Sequence, residues 1–453
     1  MSKQHTRALI GTVLGLENEE GEAVLDGTAV TITAGDTVIE VEPLSTEGTE
    51  GEATVELVEA EGEVEEISTE VETMQENVEA LEALAADLAT AIREGGLSPQ
   101  AAVMFQHAHV AIAGRHLDMS RRVLAAESFG SAASRLQMTK DAHEGVIESI
   151  KSFIKGIIAF VKKMVTKVVD WFKNLFSSKA RLKKRIDALE KAVAAQGSEL
   201  KDKNAKLSLP SGLTLDGKAP APAALIKGFE HLADVNKGIA NHQKAIVACA
   251  ALVATSAKDK GMLASKQAVA DALKVYTASS SGTGFDETEV GSNQVGNAYG
   301  AELPGSKIVV QMNPKTGADF TPATLLSLLT IKLVPIRKNL KIADKLEIKP
   351  LNSGDNLGIL KNIRTILNAK DGVDEDFKKV SEKCDDALSA LTRAADDAGE
   401  DNKEGATIVR SLATGLQSVI SNTGSSVLKI EGYAFRTCQL GANLVASSVA
   451  AYK

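Results

Sequence analysis

The segment Val146 to Phe176, VIESIKSFIKGIIAFVKKMVTKVVDWFKNLF, constrains this chain more than any other stretch. Ile147, Ile154, Val161, Val168 and Leu175 recur every seven residues, and Ile150, Ile157, Met164 and Trp171 recur between them. Steps that alternate between three and four put all of these side chains on one face of an α-helix. Val146, Phe153, Ile158, Phe160, Val165 and Phe172 flank the seam and make it wider than a two-stranded coiled coil uses, while Lys155, Lys162, Lys163 and Lys173 take the far side. Such a stripe has to be covered, because each large apolar side chain gains roughly 1.5–3 kcal/mol on burial. The cover is the chain's own core, a partner helix or a lipid surface, and the periodicity is the same for all three.

The net charge of −9 conceals a division along the chain. Residues 1–127 hold 26 Asp and Glu against six Lys and Arg, a net of −20, which leaves 34 against 45, or +11, for the remainder. Most of that excess lies in residues 128–210, with 17 basic and eight acidic residues. Lys155, Lys162, Lys163, Lys173, Lys183, Lys184 and Arg185 are therefore the candidates for a nucleic-acid or anionic surface. A sign change of this size points to a processed leader, a nucleic-acid partner or both.

The pass along the chain predicts a mainly α protein in three parts: an acidic leader over 1–127, a basic amphipathic segment over 128–205 and a helical, bundle-like domain over 206–453. Aromatics make up only 4% of the residues, which favours slim, closely packed helices over an aromatic-rich β core. In the leader, TAVTITAGDTVIEVEP reads as a small hairpin turning at Gly35-Asp36. Residues 44–66, rich in Glu, Gly, Thr and Val, read as a linker without fixed structure. Ile67 to Ile92 steps as an acidic amphipathic helix that stops at Gly95-Gly96, and Ser98-Pro99 opens another helix running to about 126. The central helix either continues through Leu182, Ile186, Leu189 and Val193 or breaks near Ser177-Ser178. Further helices are expected over 222–256, 261–278, 322–343, 356–368, 374–398, 404–421 and 426–450. A Gly-rich surface loop is expected near 279–305, with a lone strand at Lys307–Met312.

Catalytic chemistry is hard to place. Gly212 to Ala219, GLTLDGKA, follows a phosphate-binding loop up to its last position, where Ala219 replaces the Mg²⁺-ligating hydroxyl, and Pro220 and Pro222 obstruct the helix that should follow. His107 and His109 point to different faces of a helix, and the nine-residue step from His107 to His116 is a poor approximation to one face, so no metal site is expected. Cys249, Cys384 and Cys438 are far apart with no CxxC pair, which suggests neither a disulfide framework nor zinc, and a reducing interior is the simpler reading. The pairs Asp385-Asp386 and Asp396-Asp397 read as solvated faces. No enzyme, cofactor or small-molecule substrate is expected. The start carries no apolar run of signal-peptide length, and Gly156–Val161 is too short to span a bilayer, so the expectation is a chain soluble as made in the cytoplasm.

The charge changes sign at Leu124 to Gln137, LAAESFGSAASRLQ. An acidic leader, then Ala125-Ala126-Glu127 followed by Ser128, then a basic amphipathic helix, resembles the internal head proteins of large tailed bacteriophages. The closing helix, with Tyr433 and Cys438 ahead of a run of small residues, is similar to the C-terminal helix of that family. The resemblance implies that a prohead protease cuts after Glu127, leaving Ser128 as the new N-terminus inside the head. Ser45-Thr46-Glu47, Gly48-Thr49-Glu50, Ser68-Thr69-Glu70 and Ala398-Gly399-Glu400 fit the same small-x-Glu pattern, but only Glu127 coincides with the charge boundary. The expected partners are the protease, capsid or core proteins and, nonspecifically, packaged DNA. Two alternatives stay open: a membrane-active ejection protein lying on host lipid through Ile147, Ile150, Ile154, Ile157, Val161, Met164, Val168, Trp171, Phe172 and Leu175, and a helical effector or toxin acting on the host.

Overall fold

In the computed structural model three very long helices lie side by side, and the sequence of each explains its length. Helix α1 spans Thr49–Arg93, α2 spans Pro99–Ala113 and α3 spans Ala132–Ala194. They are followed by α4 (Pro222–Asp259), α5 (Ser353–Asn368), α6 (Val373–Asp397) and α7 (Lys403–Ala450). The structure describes residues 30–34, 37–41, 49–114, 131–259, 267–271, 288–291, 294–314, 326, 329–337, 340–342, 346–369, 373–397 and 403–453. The mainly α class is as the periodicity predicts.

Capping sets the helix boundaries. Gly95 and Gly96 take φ of +95° and +99°, and Gly96 N–H donates to Ala91 C=O at 2.8 Å, which closes the last turn of α1. A Cβ at Gly96 would stand 2.7 Å from the Arg135 backbone, so the turn presses against the start of α3 in a way only glycine permits. Ser98 Oγ accepts from Ala101 N–H at the head of α2, and Ser131 Oγ accepts from Ser134 N–H at the head of α3. Ser177-Ser178 does not break α3, which runs 63 residues without interruption.

Several contacts fix how the long helices run. Along the α1–α3 pair, Leu57 meets Trp171, Glu63 meets Lys167 and Met74 meets Gly156, so the two helices are antiparallel. Along the α1–α7 pair, Glu61 meets Arg436, Ser68 meets Ser421 and Gln75 meets Thr414, again antiparallel. Helices α3 and α7 are therefore parallel, and α1 lies against both. Small residues on α7 bring its neighbours close: a Cβ at Gly424 would stand 3.0 Å from the Phe377 ring on α6 and 3.3 Å from Met164 on α3. One continuous apolar core takes in side chains from α1 to α7. The low aromatic content is that of an interior filled by close backbone approach.

Four differences from the sequence reading have local causes. Residues 49–66 are the first turns of α1 rather than a linker, because Leu57, Val58 and Val64 are buried and carry the apolar face N-terminal of Ile67 while Glu59, Glu63, Glu65 and Glu66 face outward. The region expected to be a Gly-rich loop near 279–305 contains strands β4 (Thr288–Gly291) and β5 (Gln294–Leu303), whose glycines accommodate the shifted register between Glu289 and Gly291. Strand β6 (Lys307–Pro314) is not alone: it pairs with β5 and with β7 (Ile331–Pro335), which occupies part of the expected helix 322–343. Residues 331–335, IKLVP, alternate as a strand does, with Ile331 and Leu333 packed on the helical core and Val334 packed on Ile308, Val310 and Met312 of the other face. The expected helices at 404–421 and 426–450 are one helix, α7.

The remaining sheets are small. Strands β1 (Val30–Ala34) and β2 (Thr37–Val41) form the expected hairpin, and a two-residue pairing joins β3 (Leu207–Ser208) to β8 (Glu347–Ile348).

Candidate functional site

The central seam is covered by the chain's own helices. Ile150, Ile157, Val161, Met164, Val168, Trp171, Phe172 and Leu175 are buried, and Ile147 and Ile154 are half-buried against the same core. Trp171 and Phe172 meet edge to face with centroids 5.0 Å apart. The indole Nε1–H of Trp171 donates to the main-chain carbonyl of Leu57 at 3.1 Å, so the polar atom of the largest side chain in the seam is satisfied by α1. Of the three covers the sequence leaves open, the folded chain uses the first. A lipid surface can meet these residues only if the helices covering α3 part from it.

The cover itself is unusual. Helix α1 carries 14 acidic residues and one basic residue, yet Val64, Val71, Val78, Leu81 and Leu88 on its inner face are almost fully withdrawn from water. Its edges are tied to α3 and α7 by charge: Lys167 pairs with Glu63, Lys429 with Glu65 at 2.7 Å, and Arg436 with Glu61 at 2.9 Å. The first two pairs are exposed and contribute little; the third is largely buried. Burial raises the Glu61 carboxyl above its ordinary value, and Arg436 pulls it back down. Further along α1, burial pushes Glu82 up to about 8 against the opposing pull of Arg410. Within the basic segment, Lys179 is also buried, 3.0 Å from Glu431.

The opposite side of α3 is a row of lysines. At 100° per residue, Lys155, Lys162, Lys173 and Lys184 fall within about 20° of one line, roughly 44 Å long at 1.5 Å per residue, on the face away from the seam. All four are exposed, as is Lys163 beside them, and Lys183 is half-buried. Lys151 and Lys191, which the sequence reading did not single out, extend the row at both ends; their shared angular position is the signal that would have found them. Arg185 belongs elsewhere. Its Nε and Nη1 are buried, so it is no part of an open basic surface. Lys173 lies 2.8 Å from Asp170 in an exposed pair, which leaves its charge available to a stronger anion.

The other candidates resolve into structural roles. Asp216 N–H donates to the Glu302 carboxylate and Gly217 N–H to Ser306 Oγ, so amides of the phosphate-loop-like stretch are already spent bracing the β5–β6 turn. Tyr433 Oη donates to Pro304 C=O at the same turn. His107 is exposed and His109 shares a 2.9 Å hydrogen bond with Ser149 Oγ, while His116 lies outside the described residues. Cys249, Cys384 and Cys438 are buried thiols, and burial pushes Cys249 up to about 12, so it stays protonated. Asp386 is paired with Lys383, and Asp385 is half-buried beside Lys162. Among the described residues no cluster of three metal-ligating side chains occurs, and no helix is long and apolar enough to cross a membrane. The cleavage candidates Ala125, Ala126, Glu127 and Ser128 lie outside the described residues.

Residues 39–444, which include the acidic helix, the lysine-bearing helix and most of α7, match the phiKZ-like phage internal head proteins. The chain belongs to that family. No curated protein and no solved structure matches it. The resemblance drawn from the leader junction, the central helix and the closing helix thus extends over the middle of this internal head protein as well. The match begins within the hairpin and takes in all of α1.

Proposed function

We propose that this internal head protein is a noncatalytic structural component of the virion interior. Made in the host cytoplasm, it is carried into the prohead core by its acidic leader and cut after Glu127 by the prohead protease. It then lies against packaged DNA through nonspecific phosphate contacts, and ejection with that DNA is the last part of the proposal. The observation that carries the reading is the exposed lysine row of α3, standing on the far side of the helix from an acidic α1. While α1 is in place the whole chain is at −9 and is repelled by polyphosphate; without residues 1–127 it is at +11. Contacts of this kind release counterions, so affinity falls steeply with salt and carries no sequence preference.

The test is intact mass and N-terminal sequencing of the protein recovered from mature particles. A chain beginning at Ser128, binding duplex DNA at low salt and releasing it at a few hundred millimolar, is expected. An uncut chain in mature particles, or equal DNA binding by the particle-derived and full-length proteins, overturns the proposal.

A further inference from the structure

What holds α1 between α3 and α7 does not depend on its covalent link to them. Resting on the reading that the chain is cut after Glu127, we infer that the severed leader stays seated in the α3–α7 groove as a second polypeptide, so that cutting and the change of charge are separate events.

Three observations carry this. The inner face of α1 is buried along its length from Leu57 to Leu88, and three hydrogen bonds cross from its side chains to α7. Ser68 Oγ and Ser421 Oγ share a 2.9 Å hydrogen bond, Gln75 Nε2–H donates to Thr414 C=O at 3.2 Å, and Ser418 Oγ–H donates to Gln75 Oε1 at 2.5 Å. A tether contributes only an effective concentration, in the millimolar range for short flexible links, so severing it leaves these contacts as they were. Secondly, neither piece has a better alternative in water. A departing α1 keeps like-charged neighbours four residues apart at Glu61/Glu65, Glu66/Glu70 and Glu72/Glu76, which weaken an isolated helix. The body, in turn, would leave the indole Nε1–H of Trp171 without its Leu57 acceptor. Thirdly, the small-x-Glu triplets Ser68-Thr69-Glu70 and Ala80-Leu81-Glu82 sit in mid-helix with Ser68 and Leu81 buried, and unbroken helix is a poor site for proteolytic nicking. These two sites in the seated helix are thus shielded from the enzyme that severs the leader. The nicked complex keeps the charge of −9, and the +11 body appears only when the leader is expelled.

The experiment uses the full chain with a specific viral protease recognition sequence replacing residues 124–130. After cutting, verified on a denaturing gel, the protein is run on size exclusion in 0.15 M and 1 M NaCl, and emission from Trp171, the sole tryptophan, is recorded. Both fragments are expected to co-elute at both salt concentrations with unchanged emission, because the seam rather than the charge pairs holds them. Elution of the leader by itself in either salt, or a red shift of Trp171 on cutting, overturns the inference. That outcome is distinct from failure of the proposed function, which would appear as an uncut chain in mature particles whatever the engineered nick does.

Discussion

Glu61 Oε1 on α1 lies 2.9 Å from Arg436 Nη1 on α7, with both side chains at least five-sixths withdrawn from solvent. Gly432, one turn before Arg436, makes room for the pair, since a Cβ there would collide with the Glu61 carboxylate. Removing one member of a buried pair strands the other without its countercharge, at about 3 kcal/mol. Arg436→Met is therefore expected to lower stability by about that much in urea denaturation. Glu61→Leu combined with Arg436→Met should recover most of the loss, and a double variant no better than the worse single one counts against the pairing.

The pH dependence of the same interface follows from Glu82. Its carboxyl titrates near 8 in the folded chain and near its ordinary 4.5 when unfolded, because burial outweighs the pull of Arg410. Between those values the folded state holds a proton the unfolded state has released. Stability contributed by this group is present in full below about 4.5 and is lost as the pH rises towards 8. Burial shifts Glu61 in the same direction. The urea midpoint is expected to be lower at pH 8 than at pH 5.5, and Glu82→Gln should flatten that difference. A midpoint that rises over the same range contradicts the sign.

Legibility followed periodicity. The seam from Ile150 to Leu175 and the face of α1 from Ile67 to Leu88 were readable because each turn supplied an apolar residue at helical spacing. Residues 49–66 were not, since their apolar positions are sparse and Glu-rich composition is shared by mobile linkers and exposed helix faces; only the α3–α7 groove distinguishes them. Strand β7 was masked by a run of leucines upstream, and β4 and β5 by glycines that usually mark loops. The exposed lysines of α3 could be found from composition, whereas the burial of Arg185 and the pairing of Lys179 with Glu431 depend on neighbours distant in sequence. The contact least accessible to sequence was the one from Leu57 to Trp171, which joins the acidic leader to the core of the part it was expected to leave.

The lysine row makes a quantitative prediction for DNA. Each phosphate contact contributes about 0.9 to the slope of log affinity against log salt. Changing Lys155, Lys162, Lys173 and Lys184 to Gln in protein recovered from mature particles should reduce that slope by about three to four and weaken binding to all duplex sequences alike. The same change at Lys183 and Arg185, which are half-buried, should have much less effect. An unchanged slope in the fourfold variant would move the DNA surface elsewhere on the molecule.

The membrane reading makes a different prediction for the isolated helix than for the folded chain. A peptide of residues 146–176 has no neighbouring helices to cover Val161, Met164, Val168 and Trp171, and it presents lysines on the opposite face, the arrangement of an interfacial helix on anionic lipid. It is expected to release dye from anionic vesicles, and Lys155→Glu with Lys162→Glu should abolish that release by reversing the attraction to the headgroups. The full-length chain should be inactive in the same assay, because the seam is occupied by α1 and Trp171 is hydrogen-bonded to Leu57. Leakage by the intact protein at neutral pH, with a blue shift of its single tryptophan, would mean that lipid competes successfully with α1 for the seam. Silence from the wild-type peptide would leave the stripe with a packing role alone.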